Sequence, residues 1–495
     1  MTFVRRIKLK SGTYLAEVKG VRENGKVRQK IVRYIGKLDE RGKVIPGKIE
    51  RLRVDRVTYY GNVAALKSIA DGLELEQTID RHSVQAGRRL LLLAIMHCVK
   101  PSSLNRLRKY FLEFGLDTVF GMSPEEVSPK RFRAAMDLPE ENMALVEREV
   151  YGKLHEKYGP SDTLFYDITS VYFYGVKCLL TRKGYNSRGI RLPQIQIGLA
   201  VDKRGFPVFH RVFPGNVFSS KTLSRIVADL RALGKTGIIV LDRGMSSQKE
   251  ALEASKAGFE VIVGTPLRGT AKEAALRVSK RVVAPKNRVG LKTHFIYAEE
   301  VKWNLGGLPG KLVICLNESE RVSLKETRYK RIDECLKTGK PGKLGKYLKV
   351  VGGRLVVDEK AVLEAESKDS LYAIFCSRRD LRKDEIIRAY FEKDVVERAF
   401  RCLKSVLGLG PIRSWLDQSV AGHIFMCYLA YLLLSVMNYK LSLSSRSPSV
   451  FEALEELRRV YKITLIDPKT RKEYTKVSTL TKEQDSILKT LGCKL

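Results

Sequence analysis

The sequence predicts a mixed α/β fold, with a basic β region and a helical region ahead of it. Three observations lead there. Between residues 160 and 265 the segments run strand, strand, strand, helix, strand, helix, strand, the order of a mixed sheet with helices on its faces. Residues 61–158 carry helical periodicity. Residues 1–60 alternate like short strands around Asn24-Gly25, a two-residue hairpin signal.

In chain order, "TYLAEVKGV" and "VRQKIVRYIG" are the arms of that hairpin. The helical stretch then begins with "NVAALKSIADGLELEQTID" and "GRRLLLLAIMHCV", which stops at Pro101. "SPKRFRAAMDL" opens with Ser128 as N-cap and Pro129 at the first helical position. Short basic helices joined by tight turns fit a helix-turn-helix unit and a plain bundle equally. Next, "TLFYDITSVYFYG" reads as a strand, and "LPQIQIGLAVD" and "FPVFHRVF" as a hairpin around "DKRG". "SKTLSRIVADLRALG" is an amphipathic helix ending at Gly234, and "TGIIVLD" a buried strand of continuous apolar residues. A helix follows with Ser247 and Glu250 as a capping box, then the strand "FEVIVGTP".

Residues 266–370 break this rhythm, with strand-like pieces among basic, Gly-rich segments and one helical piece, and predict a β-rich insertion. "DSLYAIFCS" returns to strand, and residues 388–405, "RAYFEKDVVERAFRCLKS", read as one helix. The domain expectation is therefore 1–60 basic β, 61–158 helical, 159–265 with 371–440 as the core, 266–370 inserted, and 441–495 a helical and basic tail. Residues 424–437, "IFMCYLAYLLLSVM", fall short of the roughly 20 apolar residues of a membrane span and read as a buried helix.

Charge narrows the class of partner. The 495 residues hold 91 Lys and Arg against 55 Asp and Glu, a formal net charge of +36. Such self-repulsion suits a polyanionic partner, with nucleic acid first. Eight cysteines stand singly without a C-x-x-C pair, and six scattered His make no metal cluster, so the reading is reduced core thiols in a cytoplasmic protein with no membrane attachment. The N-terminus has no apolar h-region of a signal peptide.

Three acids attract chemistry. On the 388–405 helix Tyr390, Lys393, Glu397, Arg401 and Lys404 share one polar stripe beside an apolar one of Ala389, Val396, Ala399, Phe400 and Leu403. On its own such a stripe is a solvated face with i,i+4 pairs worth a few tenths of a kcal/mol. Asp167 lies in the first core strand and Asp242 closes the buried strand "GIIVLD". Strand ends in such sheets build sites, and a helix on the same sheet can offer Glu397 to both acids. Three clustered carboxylates need cations between them, and hard Mg²⁺ or Mn²⁺ ions with oxygen ligands meet that need. Asp202 also ends a strand, but "DKRG" makes it a hairpin-turn residue, so it stands outside the set.

On "FYDITSVYF", "VLDRGMSS", "PGN" at 214–216, "AFRCLKS" and the spacing Tyr390-x2-Lys393-x3-Glu397-x6-Lys404, the chain resembles DDE-type insertion-sequence transposases of the group related to insertion sequence family 4. The likeness covers roughly 160–440, with Lys393 where the group's Tyr-Arg-Glu-Lys signature has Arg. It implies a ribonuclease-H-like core, with helices on both faces, interrupted by a β-rich insertion, and N-terminal DNA-binding regions. It makes Asp167, Asp242 and Glu397 the ligands of two Mg²⁺ (or Mn²⁺) ions and has Tyr390, Lys393, Arg401 and Lys404 grip DNA phosphates. It also implies a nucleoid-associated enzyme on double-stranded DNA, at inverted-repeat ends and target, as a homodimer in the end-paired complex. Trp303 in the insertion has two readings: a stacking platform for a flipped base, as in some relatives, or a packed anchor of a small β-domain. An inactive DNA-binding relative and a nuclease of the same fold are the alternative functions.

Overall fold

A computed structural model describes residues 2–23, 26–45, 52–174, 178–184, 192–217, 222–232, 237–243, 248–340, 342–410, 412, 416–444, 448–468 and 470–495. The chain divides into two compact units. One comprises Met1–Ala65, Leu107–Pro124 and Phe451–Leu495; the other Leu66–Arg106 and Glu125–Val450.

The smaller unit holds two sheets. β1 (Thr2–Leu9), β2 (Gly12–Glu23), β3 (Lys26–Leu38) and β4 (Val44–Ile45) form an antiparallel meander. β2 and β3 pair up to Glu23↔Lys26, as a two-residue hairpin requires, although Asn24 and Gly25 themselves lie outside the described residues. β5 (Arg53–Tyr59) instead belongs to a second sheet with strands from the C-terminal tail. That tail was expected to be helical and basic, yet it contributes two strands, Tyr461–Ile466 and Glu473–Val477, to this second sheet. The pairing of β5 with residues some 400 positions later leaves no local trace in either segment.

The larger unit is built on one ten-stranded mixed sheet. Its strands, in chain order, are β6 (Thr163–Tyr172), β7 (Arg182–Lys183), β8 (Pro193–Asp202), β9 (Pro207–Pro214), β10 (Gly237–Leu241), β11 (Phe259–Thr265), β12 (Arg288–Gly290), β13 (Phe295–Leu305), β14 (Leu308–Leu316) and β15 (Leu371–Cys376). β6, β8 and β9 make an antiparallel meander; Asp202 accepts from the backbone N–H groups of Arg204 and Phe206 and so closes its turn, as the "DKRG" reading expects. β10 then enters parallel to β6, and β11 parallel to β10 through the crossover helix Gln248–Lys256. Ser247, the proposed cap of that helix, and Gly234 lie outside the described residues. Continuous burial of Ile239, Val240 and Leu241 marks β10 as covered on both faces.

The insertion differs from its expected form. β12, β13 and β14 do not make a separate subdomain: β14 pairs with β15, β15 with β11, and the main sheet simply continues. Only the piece after β14 stands apart. It contains a 21-residue helix, Glu318–Thr338, and a small hairpin, with its own core of Ile332, Leu348 and Val362. Asn317 caps the helix by accepting from the Glu320 N–H.

Two helices brace the sheet. Asp417–Ser442, the apolar helix, is buried along most of its length and packs on β9 and on the helix Gly87–Val99. Glu140–Tyr158 also packs on β9. Its Glu147, almost wholly buried, accepts from His210 N–H at 2.8 Å, His210 Nδ1 at 2.6 Å and Arg211 Nη1 at 2.8 Å, while Arg211 Nε donates to Asp229. A buried carboxylate is tolerable only when paired this completely.

Candidate active site

The β6–β10 ladder runs from Thr163↔Ile238 to Tyr166↔Leu241 and then stops. Asp167 and Asp242 are the next residues on their strands, side by side where β10 ends and β6 continues with β8 alone. Neighbouring strands lie about 4.8 Å apart, so the backbone itself sets the two carboxylates close together. The point where parallel strands part is where open α/β sheets build sites.

The third acid arrives on a different device. The single helix expected over 388–405 is in fact two helices and a wide turn: Lys383–Phe391, Asp394–Arg401 and a π-turn at Cys402–Val406. The first packs on β11, β10 and β15, the second on β6 and β8. The break at Glu392–Lys393 thus lets the chain step across the end of β10. Its cause is tertiary packing; no Gly or Pro marks it. Val395, Val396, Ala399 and Phe400 bury the inner face of the second helix, which leaves Glu397 half-exposed at the sheet's end.

Lys393 sits at the break and joins the parts. Its Nζ lies 2.5 Å from Asp242 Oδ1 and 3.8 Å from Glu397 Oε1, and 5.1 Å from the centroid of the Tyr390 ring. Tyr390 Oη donates to the same Asp242 oxygen at 3.4 Å. Tyr390 is buried, at odds with an exposed polar stripe, and its hydroxyl enters a cradle made by a glycine: a Cβ on Gly264 of β11 would stand 2.4 Å from that oxygen. Gly264 was not singled out in the sequence, where "VIVGTP" reads only as a strand; a glycine inside a buried strand is the signal that could have found it. Arg401 and Lys404 are exposed, and the π-turn takes Lys404 out of the simple i,i+7 register with Glu397. Trp303, half-buried on β13, is four strands from β10, about 19 Å across the sheet at ordinary spacing, and so stands away from the three acids.

Electrostatics tie the acids together. Burial pushes the Asp167 carboxyl up to about 6; the Ile168 N–H donating to it at 2.7 Å and the Lys393 charge pull the other way, while the charges of Asp242 and Glu397 push it further up. Burial also raises Asp242, but the Lys393 hydrogen bond and charge outweigh it and the net shift is down. Lys393 is shifted up: desolvation disfavours its charge, and Asp242 more than compensates. Asp167 is thus a carboxylate short of positive charge.

Among the described residues no three His, Cys, Asp or Glu side chains are grouped tightly enough to hold an ion as they stand. The donor chemistry nonetheless suits a hard divalent cation. All three acids supply oxygens, and a cation, the Lys393 ammonium, already stands between two of them.

No curated protein matches the chain. A family model described as "Transposase DDE domain" matches residues 159–433, more than half of the sequence, from just before β6 into the buried helix Asp417–Ser442. Sequence, sheet and site therefore meet in one conclusion: the chain belongs to the DDE-domain transposases.

Proposed function

We propose that this transposase acts on double-stranded DNA at the inverted-repeat ends of an insertion sequence related to family 4. It would hydrolyse a phosphodiester at each end and join the freed 3′ ends to target DNA. The observation that carries the reading is that one ammonium, Lys393, pairs with both Asp242 and Glu397, while Asp167 follows the last β6 residue paired with β10. The antiparallel β6–β8–β9 meander followed by the parallel β10 and β11 supports a ribonuclease-H-like core.

In this reading Asp167, Asp242 and Glu397 hold two Mg²⁺ or Mn²⁺ ions. Such ions, when bound, activate an attacking oxygen and stabilise the leaving oxygen of a phosphodiester. The protein's own work is positional. Lys393 leaves Asp242 and takes a phosphate oxygen of the DNA, so one charge serves the carboxylates before binding and the backbone after it. Lysine does this as a point charge where the group's arginine would offer a planar fork. Tyr390, fixed in the Gly264 cradle, keeps Asp242 oriented and lines the path of the DNA strand. Arg401 and Lys404, exposed beyond the helix, extend the grip to neighbouring phosphates. Trp303 serves as a more distant stacking contact on the same DNA end. The helical region 61–158 and the N-terminal β region bind the ends, and two copies pair them.

The test is Glu397→Gln. The substitution keeps side-chain shape and removes the charge. Duplex binding stays at the wild-type level while Mg²⁺-dependent cleavage of end DNA disappears; cleavage at the normal rate would remove Glu397 from the site.

A further inference from the structure

Arg243 follows Asp242 directly in "VLDRGMSS", yet it belongs neither to the three acids nor to the spacing that joins Tyr390, Lys393, Glu397 and Lys404. Along a regular strand successive side chains point to opposite faces, which would put Arg243 across the sheet from Asp242. β10 ends at Leu241, however, and the chain leaves the sheet at Asp242 and Arg243. The arginine thereby comes to the Tyr390 side. The marker is Gly264 of β11, where a Cβ would run into Tyr390 Oη and stand 3.2 Å from Arg243 Cβ. One missing side chain makes room for two groups, the tip of the phenol and the root of the arginine.

Tyr390 thus stands between two cations of different kinds. Lys393 Nζ lies 5.1 Å from its ring centroid, and Arg243 begins at its hydroxyl end. Burial pushes the Tyr390 hydroxyl up, and the charges of Lys393 and Arg243 both pull it down. Lys393 is engaged, 2.5 Å from Asp242 Oδ1 and 3.8 Å from Glu397 Oε1. Arg243 is exposed, and its backbone N–H supports the Asp242 carboxylate.

We propose that Arg243 supplies the planar phosphate grip that a lysine at 393 cannot, so that two cations on two elements share the work of the one arginine in the related signature. Three points carry this. A guanidinium is a rigid fork that matches two phosphate oxygens, whereas an ammonium is a point charge. Lys393 starts between two carboxylates and must leave Asp242 to meet DNA, while the root of Arg243 is set by the end of β10 and by Gly264. Lastly, Arg243 emerges on the side of Asp242 and Tyr390, where the scissile phosphate would lie.

The inference rests on the DNA-cleaving reading above, and a double-mutant cycle tests it apart from that reading. Wild type, Arg243→Lys, Lys393→Arg and Lys393→Arg/Arg243→Lys are compared in single-turnover cleavage of end DNA with Mg²⁺, with thermal melting followed by circular dichroism. Arg243→Lys keeps the charge and removes the fork; alone it slows cleavage roughly tenfold. With Lys393→Arg, which returns a fork to the signature position, the same change slows cleavage by less than about threefold. Arg243→Lys melts with wild type. Equal losses in both backgrounds overturn the proposal, because Arg243 then acts independently of position 393. A wild-type rate in Arg243→Lys also overturns it, since charge alone then suffices, and so does a rate loss matched by a lower melting temperature, which makes Arg243 a packing residue. Wild type that cleaves no end DNA removes the DNA-cleaving reading, and this inference with it.

Discussion

The carboxylates of this site are held in two ways. Asp167 and Asp242 follow directly on a buried parallel ladder, Asp167 still paired with Leu199 of β8 and Asp242 one residue past the end of β10. Glu397 and its basic neighbours ride on a segment that changes course twice within 24 residues, at Glu392–Lys393 and again in the π-turn. One region fixes two carboxylates; the other carries a third carboxylate and a movable cation. The difference suggests that substitutions in the strands act on chemistry outright, while those in the helical segment tune how the site exchanges its own lysine for DNA.

The largest effect belongs to the strands. Asp242→Asn removes the carboxylate that Lys393 and Tyr390 both engage. Cleavage of end DNA falls at least about 10³-fold, about 4 kcal/mol in barrier. Single-turnover assays at saturating Mg²⁺ measure it, and a loss under tenfold would show that the ladder does not present the reacting groups.

Asp167→Asn is next, and its effects on activity and stability run in opposite directions. The Asp167 carboxyl, pushed up to about 6, prefers to be neutral in the folded chain. Below the ordinary carboxylate range it is protonated in both states and costs nothing. As pH rises toward about 6 the unfolded chain ionises first, so stability is lost across that window and stays lost above it. Held at about 6 instead of in the ordinary carboxylate range, the group carries a penalty of up to about 3 kcal/mol at neutral pH. Asparagine keeps an oxygen for the Ile168 N–H and never ionises. In EDTA the variant unfolds at a higher temperature than wild type at pH 7.5, with the gap narrowing at pH 5, while its cleavage is lost. An equal gap at both pH values would separate the gain from ionisation of Asp167.

The same contrast explains what could be read from sequence. β6, β10 and β11 announce themselves by apolar runs of strand length, and Asp167 and Asp242 by their places on them. The break beside Lys393 does not, because "YFEKDVV" holds no helix breaker and the kink is imposed by packing on β10 and β6. Likewise β13 and β14 read as strands, but the attachment of β14 to β15 is a long-range pairing that no local pattern encodes. Gly264 is visible as a residue and silent as a function until the Tyr390 hydroxyl is seen beside it.

That glycine gives the third effect. In Gly264→Ala the new Cβ would stand 2.4 Å from Tyr390 Oη and 3.2 Å from Arg243 Cβ, and the phenol, being packed, must move. The cost is about 1–3 kcal/mol of stability, the range for overpacking a core. Cleavage declines with it because Tyr390 no longer orients Asp242. Removing the hydroxyl as well, in Gly264→Ala/Tyr390→Phe, recovers stability but not cleavage. Recovery of both would make the hydroxyl a packing atom.

The smallest effect tests the movable half. Lys393→Arg keeps the charge, and its fork is wide enough to serve Asp242 and Glu397 together, which now lie 2.5 and 3.8 Å from one ammonium. Folding stability changes by under about 1 kcal/mol, since the pair is only partly desolvated. Two opposed consequences follow for function. The fork grips a phosphate better once DNA arrives, yet it leaves two carboxylates less readily. Lys393→Met, which has no charge to leave, binds Mn²⁺ more tightly than wild type in the absence of DNA, by several-fold, and holds end DNA less well; Lys393→Arg shows the reverse order on both counts. Electron paramagnetic resonance of bound Mn²⁺ and duplex retention at rising salt measure the two sides separately. Equal Mn²⁺ affinity in all three proteins would mean that Lys393 does not stand in the ion's place, and the contrast between a fixed and a movable half of the site would lose its mechanism.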